Sequence, residues 1–242
     1  MRREQMGGLS CVVAGGEGER RPEAAAVFCH GFGASGTDLV PLAGVLADYL
    51  EDVVERVQFV FPAAPISLDS EGIPGGRAWW PIDMLQLQLA MATGNFRELR
   101  DEAPQLLPER RRQFTELVTE LRERTGLPAS RIVLGGFSQG AMLTTDVSLH
   151  LEERPGGLVI WSGTLLNQTE WSAAARSGAS LRIVQSHAVD DPILPYTGAE
   201  DLRDLLTDSG HQVEFLRFRG GHTIPEAALA STARLIGEVI GE

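Results

Sequence analysis

Short apolar runs rich in β-branched and aromatic residues recur along the chain at 24–29, 57–61, 131–134, 158–161, 181–185 and 213–218. They have strand length and several are apolar at consecutive positions, which predicts strands covered on both faces rather than strands with one wet side. The stretches between them carry helical spacing instead. Leu39, Leu42, Val45, Leu46 and Leu50 make one apolar stripe over 38–50, and Phe114, Leu117, Val118 and Leu121 make another over 109–124. Further helices are expected over 141–151, stopped by Pro155-Gly156-Gly157, and over 201–206 and 224–240. Strands alternating with crossover helices define an α/β chain, with a mostly parallel central sheet and helices on both faces.

One stretch breaks the rhythm. From 62 to 108 there is no strand of comparable quality, but prolines recur and the stretch holds the pair Trp79-Trp80 and the apolar segment 84–91. It is too short for a core of its own, so it reads as a cap or lid-like insertion in a single domain spanning 1–242.

Composition narrows the functions. The 242 residues include 33 acidic against 21 basic, a formal charge of −12. Such a surface repels phosphate and argues against nucleic acid as a partner. The apolar run 9–14 is too short for a secretory h-region, and no window approaches a membrane span, so a cytoplasmic protein without stable membrane insertion is expected. Cys11 and Cys29 sit in strand-like runs without metal or redox spacing and read as small buried hydrophobes. Oligomeric state is not legible.

The strongest chemical signal is Gly136-Phe137-Ser138-Gln139-Gly140, between a predicted strand and a predicted helix. A sharp strand-to-helix turn forces its serine into strained geometry and lifts the hydroxyl clear of the sheet, beside the positive end of a helix. The bland alternative makes Ser138 an ordinary helix cap. A nucleophilic serine needs a base, and of the five histidines the best placed is His222, in the loop after run 213–218. His150 and His211 read as surface residues. His30 belongs to a glycine-rich loop with another role, and His187 ends a later strand and lies near the site, but no strand follows it before the acid candidates. The acid is expected between serine and base in chain order, where Asp190-Asp191-Pro192 follows a strand. Asp191, held extended by the proline, is preferred, leaving Asp190 as a solvated neighbour. Backbone N–H groups of Phe32, in the loop His30-Gly31-Phe32-Gly33, and of Gln139 would form an oxyanion hole. Phe32, Trp79 and Trp80 are candidates for a substrate pocket, although the tryptophans equally suit packing of the excursion onto the body.

The same early loop satisfies Gly-x-Gly-x-x-Gly through Gly31, Gly33 and Gly36, the mark of a dinucleotide site. That reading, a nucleotide-binding oxidoreductase, also requires an acid at the end of the next strand, and none stands before Asp69. An α/β-hydrolase scaffold that binds a ligand without turnover is a second alternative.

Taken together, His30-Gly31-Phe32-Gly33, Gly136 to Gly140, the Asp191-Pro192 acid loop and His222 give a chain that resembles the phospholipase/carboxylesterase family of α/β-hydrolases, which includes the acyl-protein thioesterases. Ala78-Trp79-Trp80 is similar to the family's tryptophan segment. Ala188 departs from the family's glycine after His187, and the stretch from Trp80 to Leu107 has no counterpart. The resemblance implies an α/β-hydrolase fold and a carboxylic ester hydrolase, acting on small-molecule or acyl-chain esters, thioesters or lysophospholipids through an acyl-enzyme, without metal or cofactor.

Overall fold

The computed structural model describes residues 1–16, 21–83, 85, 101 and 103–241. Its main sheet contains strands β1 (Arg2–Met6), β2 (Leu9–Gly15), β3 (Ala24–Cys29), β4 (Val57–Pro62), β7 (Ile132–Phe137), β8 (Gly157–Trp161), β9 (Arg182–Ala188) and β10 (Gln212–Phe218). The eight strands run in the order β1-β2-β4-β3-β7-β8-β9-β10. All neighbours from β4 to β10 are parallel, while β2 joins β4 antiparallel and is itself hairpin-paired with β1. Two-residue strands β5 (Ile66–Ser67) and β6 (Arg77–Ala78) form a separate ribbon within the excursion. Residues 84, 86–100 and 102, and with them most of the apolar segment 84–91, lie outside the described residues.

Six α-helices cover the sheet among the described residues: α1 (Leu42–Leu50), α2 (Leu107–Thr125), α3 (Gln139–His150), α4 (Gln168–Ala175), α5 (Tyr196–Asp208) and α6 (Glu226–Ile240). Side chains alternate across a strand, so each strand feeds two cores. Ala25, Val27, Ile132, Leu134, Leu158 and Ile160 join one core with Phe114, Leu117, Val147, Trp171 and Leu202 from α2 to α5. Ala26, Phe28, Val133, Val159 and Trp161 join the other with Leu46 of α1 and Leu235 and Ile236 of α6. Phe28 stacks on Trp161 at 4.9 Å between ring centroids. Each fully buried large side chain of this kind contributes roughly 1.5–3 kcal/mol relative to exposure.

The expected strands and the parallel sheet are present. β1 and α4 were not expected: β1 reads Arg2-Arg3-Glu4-Gln5-Met6, and α4 is short and mostly polar. α1 starts four residues later than its stripe suggests, because Pro41 occupies the cap and 37–41 turns instead. Helix α3 lacks an apolar stripe for a different reason: Gln139 to Leu149 are buried apart from Met142, which is partly buried.

Register places the site. Cys29 pairs with Gly136, Phe137 with Trp161, Trp161 with Ser186 and Ala188 with Phe218. The loops beginning at His30, Ser138, Ser162, Val189 and Arg219 therefore leave the sheet at one carboxyl edge, where open α/β sheets build their crevices.

Candidate active site

Ser138 has φ 55° and ψ −119°, a conformation costly for a residue with a β-carbon. The turn is held by its neighbours. Its N–H donates to the Trp161 carbonyl at 2.9 Å, and its carbonyl accepts from Met142 N–H at 3.1 Å in the first turn of α3. Side chains cannot be afforded on either side: a β-carbon on Gly140 would stand 2.2 Å from the Cys29 carbonyl oxygen, and one on Gly136 2.7 Å from the same atom. The Ser138 hydroxyl does not cap α3. That removes the observation on which a purely structural role for it would rest.

His222 lies beside this elbow, its ring centroid 4.7 Å from that of Phe137. Its Nδ1 donates to Asp191 Oδ2 at 2.7 Å, and its side chain is 11% exposed while that of Asp191 is fully buried. Among the described residues neither His222 Nε2 nor the Ser138 hydroxyl has a hydrogen-bond partner, a common state before substrate aligns such a pair. Asp191 Oδ1 accepts from the N–H groups of Ile193 and Leu194 at 2.8 and 3.0 Å. Burial alone would raise the Asp191 carboxyl, but the bonds from His222 and Leu194 outweigh it and hold it below its ordinary range.

Two further groups brace this arrangement: His187, expected near the site but given no part in it, and Asp190, expected only as a solvated neighbour. His187 Nε2 donates to the Leu194 carbonyl at 3.0 Å and stands 3.4 Å from Asp191 Oδ2. Burial lowers the His187 pKa by disfavouring the charged ring. Asp190 is exposed but is not merely solvated: its Oδ1 accepts from Gly220 and Gly221 N–H at 3.0 and 3.3 Å, fastening the loop that carries His222.

The early loop closes over the serine from the other side. A β-carbon on Gly31 would lie 3.3 Å from Ser138 Cβ, so that loop runs against the elbow. His30 organises it: Nδ1 donates to the Gly31 carbonyl at 2.8 Å, and Nε2 accepts from Ala64 N–H at 3.0 Å. Burial lowers its pKa, consistent with this neutral tautomer. The Phe32 N–H has no partner among the described residues, and Gln139 N–H belongs to the unpaired first turn of α3.

Trp79 and Trp80 are 1% and 4% exposed. Trp79 Nε1 donates to the His30 carbonyl at 2.9 Å, and the Gln139 side chain bridges Trp79 N–H and the Trp80 carbonyl at 2.8 and 2.9 Å. Residues 79 and 80 of the excursion are thus bonded to the His30 loop and to Gln139, the residue after Ser138. Of the remaining histidines, His150 is partly buried and bonded between α3 and α4, and His211 is 5% exposed and accepts from Leu181 N–H. The surface position expected for His211 is incorrect, because its ring is buried and satisfies a backbone group immediately before β9, whereas His150 keeps a partly exposed ring. Cys11 and Cys29 are buried free thiols, with Cys11 pushed up to about 12 by burial. No described helix is long and apolar enough to cross a membrane.

Comparison with known proteins identifies the family and the fold. The phospholipase/carboxylesterase family model matches residues 13–240. Acyl-protein thioesterase 1 of Eremothecium gossypii is 29% identical over 75% of this chain and 72% of its own, and that of Candida albicans 25% over 90% and 93%. In fold, the chain is similar to esterase PE8, with a TM-score of 0.75 at 24% identity over 96% of this chain and 99% of that one. The Bacillus cereus carboxylesterase gives 0.66 at 17% identity over 96% and 94%. With a parallel sheet, a serine elbow at its carboxyl edge and a family match over nearly its whole length, the chain belongs to the phospholipase/carboxylesterase family and is an ester hydrolase of the α/β-hydrolase fold.

Proposed function

We propose that the chain hydrolyses acyl esters or thioesters through a Ser138–His222–Asp191 triad and an acyl-enzyme intermediate. The observation that carries this reading is the buried Asp191 bonded to His222 Nδ1 at 2.7 Å, beside a serine in a strained turn whose hydroxyl makes no cap bond to the helix that follows it. Asp191 fixes the imidazole tautomer so that Nε2 is the basic atom. His222 takes the Ser138 proton as the oxygen attacks the acyl carbonyl, and the Phe32 and Gln139 N–H groups stabilise the oxyanion. Returned to the leaving alcohol or thiol, that proton completes acylation. Water, activated by the same imidazole, then releases the acid.

Phe32, partly exposed, is the pocket residue with surface to offer an acyl chain, and Trp79 supports its loop through the His30 carbonyl. The names of the thioesterase relatives support acylated thiols as a substrate class. Comparing p-nitrophenyl esters of short, medium and long chain with an acyl thioester and a lysophospholipid identifies the preferred class.

Replacing Ser138 by Ala should lower kcat by roughly 10⁶-fold, the scale of a lost triad nucleophile, with the fold retained by circular dichroism. A fluorophosphonate probe should label the wild type and not the variant. Retained turnover would refute the triad, and absent labelling of an intact wild type would favour a ligand-binding scaffold.

A further inference from the structure

Ser162, the residue after β8, is fully buried and has φ 51°, a left-handed conformation that glycine adopts without strain. Its side chain explains the exception. Ser162 Oγ donates to the Thr223 carbonyl at 3.1 Å, adjacent to His222, and Ser162 N–H donates to the Ser186 carbonyl at 2.8 Å, in the strand that leads to Asp191. The preceding residue, Trp161, gives its carbonyl to Ser138 N–H. Two consecutive residues at the centre of the carboxyl edge therefore touch the nucleophile turn, the acid strand and the base loop.

The base loop is gripped at both sides of the imidazole. Before it, Gly220 and Gly221 N–H are bonded to Asp190; after it, the Thr223 carbonyl is bonded to Ser162. Asp191 orients the ring through one bond at Nδ1, which leaves the main chain free to slide unless something holds it. We propose that Ser162 is a positioning residue for His222, its hydroxyl retained at a strained position in order to fix the main chain that carries the base. This inference rests on the reading of His222 as the base.

Two variants separate positioning from simple fold support. S162A keeps the strain and removes the hydroxyl; S162G removes both, so it should melt no lower than S162A. If the hydroxyl positions His222, both lower kcat by about 10- to 100-fold with KM within about two-fold, because displacements near 1 Å cost rates of this order. Fluorophosphonate labelling should slow in parallel. Full kcat in a folded S162G overturns the proposal, since relief of strain alone would then account for the site. Loss of folding in both variants also overturns it, by assigning the hydroxyl a structural role; if S162A alone fails to fold, S162G decides. The S138A variant, assayed alongside, distinguishes the two readings. If S138A retains turnover, the triad falls and the positioning role with it, whereas an inactive S138A beside a fully active S162G removes only the latter.

Discussion

Asp146 and Asp191 are both carboxylates with fully buried side chains, and each has a histidine four or more residues away in sequence and close in space. Asp146, on α3, accepts two bonds from Arg111 at 2.6 and 3.0 Å and one from Trp171 Nε1 at 2.8 Å. Its histidine, His150, uses Nδ1 on the Asp146 carbonyl at 2.7 Å and places Nε2 3.1 Å from Glu170. Both Asp146 carboxylate oxygens and both His150 ring nitrogens are engaged, and the cluster joins α2, α3 and α4. Around Asp191 no arginine is bonded to the carboxylate among the described residues, and backbone N–H groups and the His222 ring serve instead. His222 Nε2 has no hydrogen-bond partner among the described residues. The same pair of residue types is thus structural where both ring nitrogens are occupied and chemically available where one is free.

Exchanging the acid for its amide should break the comparison most sharply. Asp191→Asn is expected to lower kcat by about 10⁴-fold by favouring the wrong imidazole tautomer, with little loss of melting temperature; a smaller loss than tenfold would sink the orienting role. Asp146→Ala should do the reverse. Removing one partner of a buried ion pair costs about 3–5 kcal/mol of stability, read by denaturant unfolding, while turnover per fluorophosphonate-labelled site stays near wild type.

The smallest effect separates the histidines by pH. Burial lowers the pKa of His30, His187 and His211, so the folded state favours their neutral forms. Below about pH 6.5, the reference value for imidazole, the unfolded chain takes up protons that the folded chain resists, so stability falls on acidification. The Asp191 contribution has the opposite origin but the same direction: its folded value is depressed, so its stabilisation is lost only at lower pH, as the carboxyl protonates. Unfolding free energy measured at pH 7 and pH 5 should be lower at pH 5, and His211→Gln should narrow that difference without touching kcat.

Much of this was legible because it is local. The glycine pattern around Ser138 states the steric demand of the elbow in five consecutive residues, and the strand runs β3, β4, β8 and β10 announce themselves by apolar density. The chain order of Ser138, Asp191 and His222 follows from which loops leave one sheet edge. The bracing contacts were illegible for the opposite reason. Asp190, His187 and Ser162 act through backbone atoms 30, 7 and 61 residues away, and a hydroxyl aimed at a carbonyl leaves no mark on composition or period. The buried ionic cluster was hidden in the same way: Asp146 sits in a helix enclosed on all sides, where amphipathic reasoning has no wet face to find. β1 escaped because its charged residues resemble a disordered terminus until paired with β2.

The enclosure of α3 has a consequence for how the enzyme fails. Ser138 is suspended between the middle of the sheet and a helix with almost no solvent-facing side chain, so the elbow is tied to the packed core on both sides. Deuterium reaches the amides of such an element chiefly when the whole domain opens. Heat should therefore silence the catalyst and dissolve its architecture in one event, leaving no inactive but otherwise native population behind.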